Sequence, residues 1–91
     1  MTVEVALAPV LANAIGGERT LQLEGGTVGE VLRNLTEQHT SLARLLWRDG
    51  EALNPMLAVF RNRDDIRTLE GLATPLQPGD EVAVISAAEG G

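Results

Sequence analysis

The sequence contains no cysteine, no lysine and a single histidine, His39. Without cysteine there is no disulfide, no thiolate metal site and no nucleophilic thiol. With one histidine, any catalytic pairing of His with Ser has a single candidate. The seven basic residues are all arginine, set against 13 acidic ones, for a formal charge of −6. Nucleic-acid binders usually show the opposite sign, so no nucleic-acid partner is expected. No apolar run approaches the roughly 20 residues of a membrane helix. Residues 1–10 have no basic start and carry Glu4, unlike a secretory signal. A cytoplasmic protein without a membrane partner is expected. The 91 residues have room for one domain, and so few reactive groups point away from a self-sufficient enzyme.

What is present is enough apolar residue for a core, 44% of the chain. Val3, Val5 and Leu7 alternate with Thr2, Glu4 and Ala6, the pattern of a strand with one buried face. Pro9 disfavours helix at Ala8, and the segment to Gly16-Gly17 reads as a loop with one turn. Leu21 and Leu23 mark a second strand, an antiparallel neighbour of the first. Gly25-Gly26 ends it. Thr27 stands three residues before Glu30, the spacing of a capping box. Val28, Val31, Leu32 and Leu35 then line one face of a helix over 27–39. His39 sits near its end, where a cation is favourable. Ser41 is placed to cap a second short helix carrying Leu42, Leu45 and Leu46, and Trp47 reads as a lid over the edge of the core.

Asp49-Gly50 is a turn, and 56–61 form a strand apolar on both faces. Asn62 to Asp65 turn the chain, with Ile66-Arg67 returning as a very short strand. Residues 69–76 are irregular or a single helical turn. Pro78-Gly79-Asp80 is a tight turn, and 81–87 form the last strand. No metal cluster is readable: Asp64-Asp65 has no His or Cys companion. The glycine pairs match no dinucleotide or phosphate loop.

Strand, strand, helix, strand, short strand, strand is the order of an α+β domain with a mixed sheet of four to five strands on one main helix. It matches the β-grasp arrangement, in which the last strand lies beside the first in mid-sheet. The expected division is a β-grasp domain over 1–87 and a flexible tail over 88–91. If the helix covers Val3, Val5, Leu7, Val82 and Val84, the other face carries Ala83 and Ile85. Met56 and Phe60, or Leu57 and Val59, add to it. Either that face docks a partner, or loop 9–18 or loop 68–78 covers it.

The sequence ends Glu89-Gly90-Gly91. Such an end is either frayed or a thin thread, because glycine has no Cβ and adopts backbone angles closed to other residues. A thread of this kind can enter a narrow channel and present its α-carboxylate to a partner's active site. Once activated there, the acyl group would meet no thiol or ε-amine on its own chain. Sulfur, if carried, cannot sit on a cysteine side chain.

Asn62-Arg63-Asp64-Asp65-Ile66-Arg67, Gly71-Leu72-Ala73-Thr74-Pro75-Leu76, Pro78-Gly79-Asp80-Glu81-Val82 and the terminal Gly90-Gly91 resemble the ubiquitin-like sulfur carrier proteins. That family includes the molybdopterin synthase small subunit, the thiamine-pathway carrier and the carrier of a bacterial cysteine-biosynthesis pathway. The Asp65-Ile66-Arg67 and Gly71-Leu72 elements look most like the last branch. Two positions depart from the pattern. Glu89 puts a charge beside the diglycine, and Arg61 stands where such carriers often show an apolar residue.

The resemblance implies a carrier, not an enzyme, with no bound cofactor. A partner related to ubiquitin-activating adenylyltransferases would use ATP and Mg²⁺ to adenylate the Gly91 carboxylate. A sulfur donor, with a sulfurtransferase as a further partner, would then leave a thiocarboxylate. Gly91 bears the sulfur; Gly90, Glu89 and Ala88 thread. The acceptor would be an enzyme like cysteine synthase, the molybdopterin synthase large subunit or thiazole synthase. The sheet face near the tail docks the partner, which singles out Met56, Phe60 and Ile85. Two alternatives share the observations: a ubiquitin-like modifier conjugated through Gly91, and a non-catalytic interaction subunit.

Overall fold

The computed structural model describes residues 1–86. The expected boundary between 87 and 88 lies outside them.

Alternation in the sequence becomes a sheet with one buried face. β1 (Thr2–Leu7) buries Val3, Val5 and Leu7 and turns Thr2, Glu4 and Ala6 away. β2 (Thr20–Glu24) pairs antiparallel with it, Leu21 opposite Val5 and Leu23 opposite Val3. Between them Pro9 opens a short helix, α1 (Pro9–Ala12), at the first position, where its missing N–H costs nothing. The expected loop is therefore helical, and it continues as a 3₁₀ turn over Asn13–Ile15.

α2 (Val28–Gln38) lays Val28, Val31, Leu32 and Leu35 on the sheet, all fully buried. Its start is capped as the spacing predicts, with one shift of position. Thr27 Oγ1 accepts from Glu30 N–H, while Glu30 Oε1 accepts from the N–H of Gly26 at 2.7 Å, one residue before the cap. A 3₁₀ turn (Thr40–Leu42) and α3 (Ala43–Leu46) follow. Ser41 does not cap this helix; its hydroxyl donates to Ala14 O and ties the turn to the α1 connection.

Trp47 is buried in the two-stranded ribbon of β3 (Trp47–Arg48) and β4 (Ala52–Leu53). β5 (Leu57–Arg61) continues to a hairpin in which Phe60 pairs with Asp65 and Arg61 with Asp64. The short return strand, β6, is thus Asp64–Asp65 and not Ile66-Arg67. Arg67 N–H donates to Asp65 Oδ1 at 2.8 Å, and this local bond bends Ile66–Thr68 into a 3₁₀ turn with Ile66 buried. A further 3₁₀ turn, Gly71–Ala73, precedes β7 (Glu81–Ser86).

The five-stranded sheet runs β2-β1-β7-β5-β6. β7 is parallel to β1 and antiparallel to β5, so the last described strand lies in mid-sheet. This is the expected α+β, β-grasp architecture. Both long connections pack toward α2: Leu11 and Ala12 join the core, and Val28 N–H donates to Thr74 O. They leave much of the opposite face uncovered, and Ile85 there is 37% exposed.

Candidate functional site

The chain reaches its C-terminal residues through β7, and several bonds fix where that strand starts. Asp80 N–H donates to Gln77 O, closing the tight turn, and Gln77 N–H donates to Asp80 Oδ2 at 2.8 Å. Asn62, held at φ 56, reaches across from the β5–β6 hairpin. Its Nδ2 donates to Asp80 Oδ1 and its Oδ1 accepts from Glu81 N–H, both at 3.0 Å. The Asn62 bond, with that from Gln77 N–H, holds the Asp80 carboxyl below the usual carboxylate range. The strand then runs between two neighbours with Val82 and Val84 fully buried. Ser86, the last described residue, therefore ends an anchored strand rather than a loop.

Ala88, Glu89, Gly90 and Gly91, the residues expected to thread and carry sulfur, lie outside the described residues. Of the expected docking residues, Phe60 and Ile85 share the open face: Phe60 pairs with Ala83, and Ile85 with Ala58. Met56 stands in the turn just before β5 and is exposed. Beside them, Ala6, Leu7, Pro9, Arg19, Ala83 and Ile85 line a shallow, largely apolar groove along the end of β7. Arg19 is the cation of this groove, with Nε donating to Leu7 O at 2.9 Å. Sequence reasoning missed Arg19; only the β1–β2 pairing brings it to the end of β1. Among the described residues, no three His, Cys, Asp or Glu side chains gather as a metal site. No helix there is long and apolar enough to cross a membrane.

The ThiS family model matches residues 10–91, nearly the whole chain and including both terminal glycines. The chain belongs to the ThiS family. Sulfur carrier protein CysO of Mycobacterium tuberculosis is 28% identical to this ThiS-family chain over 93 residues, covering 100% of both. Small archaeal modifier protein 3 of Haloferax volcanii is 40% identical over 68 residues, 75% of this chain and 73% of that protein. Among solved structures, the Amycolatopsis orientalis BexX/CysO complex contains a similar chain. It superposes with a TM-score of 0.85 at 27% identity, covering 93% of this chain and 94% of that one. The family is thus that of the ubiquitin-like sulfur carriers, and relatives named as carriers and as modifiers share its β-grasp fold.

Proposed function

We propose that this ThiS-family chain carries sulfur as a thiocarboxylate on Gly91 for a biosynthetic acceptor enzyme. The observation that carries the reading is the position of β7. The last described strand is buried in mid-sheet and ends at Ser86 beside an apolar face, and the sequence that follows it closes on Gly90-Gly91. A narrow tail on a fixed base suits insertion into an enzyme's active site.

A carboxylate is a poor electrophile, so the first step is activation by a partner adenylyltransferase. The Gly91 carboxylate oxygen attacks the α-phosphorus of ATP, and pyrophosphate, bound to Mg²⁺ in the partner, leaves. Hydrosulfide or a persulfide sulfur then attacks the acyl carbon and AMP leaves. With hydrosulfide the product is the thiocarboxylate and one proton. A persulfide first gives an acyl disulfide, which a thiol reduces to the same product. The thiocarboxylate sulfur is softer and more nucleophilic than the oxygen it replaces, and delivers itself to an electrophilic acceptor. The carrier contributes the tail and the docking face; its partners contribute the catalysis.

The test is intact-protein mass spectrometry after incubation with the adenylyltransferase of the same genome, ATP, Mg²⁺ and sulfide. A mass gain equal to replacement of one oxygen by sulfur, mapped to Gly91, is expected. Absence of that gain with an enzyme that binds the chain would overturn the reading.

The 40% identity to a small archaeal modifier protein favours a second reading, conjugation of Gly91 to lysines of other proteins. It uses the same activation step. Isopeptide-linked conjugates recovered from cells, and lost when Gly91 is deleted, would support it.

A further inference from the structure

Strand register divides the open face of the sheet into two zones. Toward the end of β7, Ala6 pairs with Ala83, Ala83 with Phe60, and Ala58 with Ile85. The three alanines form a low apolar floor between Phe60 and Ile85. One row back, Glu4 on β1 is the direct partner of Glu81 on the parallel strand β7. Both turn to the open face, because Val3, Val5 and Val82 beside them point into the core. Like charges directly opposite one another across a sheet are destabilising. Among the described residues no salt bridge offsets this pair. Among the described residues the ion pairs are Arg48–Asp49 and Arg67–Asp65. Arg61, next to Glu81's row, points to the helix side and donates to Pro75 O. Arg19 donates to Leu7 O.

Two carboxylates held side by side at the rim of an apolar floor form a complementary seat for one cationic side chain. A second copy of the chain would set acid against acid in a symmetric contact, and the whole chain is already at −6. A basic partner surface is attracted instead, which raises its encounter rate and fixes its orientation. The adenylating enzyme is the partner required by both the carrier and the modifier readings.

We propose that Glu4 and Glu81 receive an arginine or lysine of the adenylating enzyme, while an apolar side chain of that enzyme fills the Ala6–Ala58–Ala83 floor. This rests on the proposed function, deepening it with a named contact and a chemistry for the partner.

The experiment measures binding and sulfur loading separately. Calorimetric titration of the adenylyltransferase into wild type and into E4Q/E81Q, without ATP, at low and high salt, gives Kd. We expect about tenfold weaker binding by the double variant and a flatter salt dependence, as for a lost docking charge. Its Tm should be equal to or above that of wild type, since a like-charge pair has been removed. Unchanged Kd and salt slope would overturn the inference, whether or not wild type is loaded with sulfur. So would wild type failing to bind this enzyme, or a wild-type dimer in sedimentation that E4Q/E81Q abolishes. Weakened binding together with unloaded wild type would sustain the docking pair and sink the carrier function alone.

Discussion

The indole N–H of Trp47 donates to Thr36 Oγ1 at 3.1 Å, joining the β3–β4 ribbon to the inner side of α2. Arg33, one turn back on that helix, lies over the same ring at 4.0 Å from its centroid. Its guanidinium also donates to Gly50 O and Glu51 O in the ribbon's turn. The ring is thus a hinge pin between two elements that share no sheet. Trp47→Phe keeps most of the buried area but leaves the Thr36 oxygen without its donor, and should cost about 1–2 kcal/mol. Trp47→Ala should cost about 3–5 kcal/mol. Urea unfolding followed by far-UV circular dichroism measures both; a Phe variant as stable as wild type would remove the hydrogen bond from the account.

Gly25 and Gly26 look equivalent in sequence and are not. A Cβ on Gly25 would sit 2.8 Å from the backbone N of Val31 and 2.6 Å from its Cγ2, where the β2–α2 turn closes on the helix. A Cβ on Gly26 would meet nothing nearer than Glu30 Oε1 at 3.5 Å. Gly25→Ala must move backbone and should cost about 1–3 kcal/mol. Gly26→Ala should stay within about 0.5 kcal/mol of wild type. Equal costs in denaturant titrations would contradict this close approach.

The acid side of the stability curve should carry a signature of Asp80. Its carboxyl is lowered below the ordinary 3.8, chiefly by the Asn62 side chain and then by Gln77 N–H. Asp65 is lowered too, by the Arg67 side chain and then its backbone N–H. A depressed folded pKa adds stability that is complete above the unfolded pKa and is lost as pH falls through the folded one. Wild type should therefore lose stability below about pH 4. Asp80→Asn should be less stable than wild type at neutral pH, with the gap narrowing as the medium is acidified. Unfolding free energies measured across the acid range would show parallel curves if Asp80 contributed nothing.

Much of the fold is legible from periodicity, because burial on one face of a strand or helix leaves a period of two or 3.6. Val3, Val5 and Leu7, and Val28, Val31, Leu32 and Leu35, are such sets, and all are buried. The short elements were less legible because local hydrogen bonds, not periodicity, decide them. Asp65 reads as a turn residue, yet it ends β6 and its side chain then bends Ile66 and Arg67 out of the strand. Pro9 reads as a breaker, yet it begins α1. Of the site, Ile85 could be assigned to the open face by counting in twos along its strand, whereas counting left Met56 and Phe60 or Leu57 and Val59 open until the β5–β7 register set Phe60 opposite Ala83. The Glu4–Glu81 pairing could not be counted out, since it depends on the register of two strands far apart in sequence.

Val84 and Ile85 are neighbours in β7 with opposite duties, and substituting each in turn separates fold from docking. Val84 faces α2 at 0% exposure and pairs with the buried Val59; Ile85 faces outward at 37%. Val84→Ala removes methyls from the core and should cost about 1.5–3 kcal/mol, while the outer face and KM for the carrier in the adenylation reaction stay as in wild type. Ile85→Ala removes an outward apolar wall. It should cost less stability than Val84→Ala, but raise that KM about tenfold, the scale of a buried interface anchor. Its kcat should hold, because β7 still delivers the same tail once docked. Thermal melts and initial rates on the two variants test the separation. An Ile85 variant with wild-type KM would mean that this face does not meet the activating enzyme.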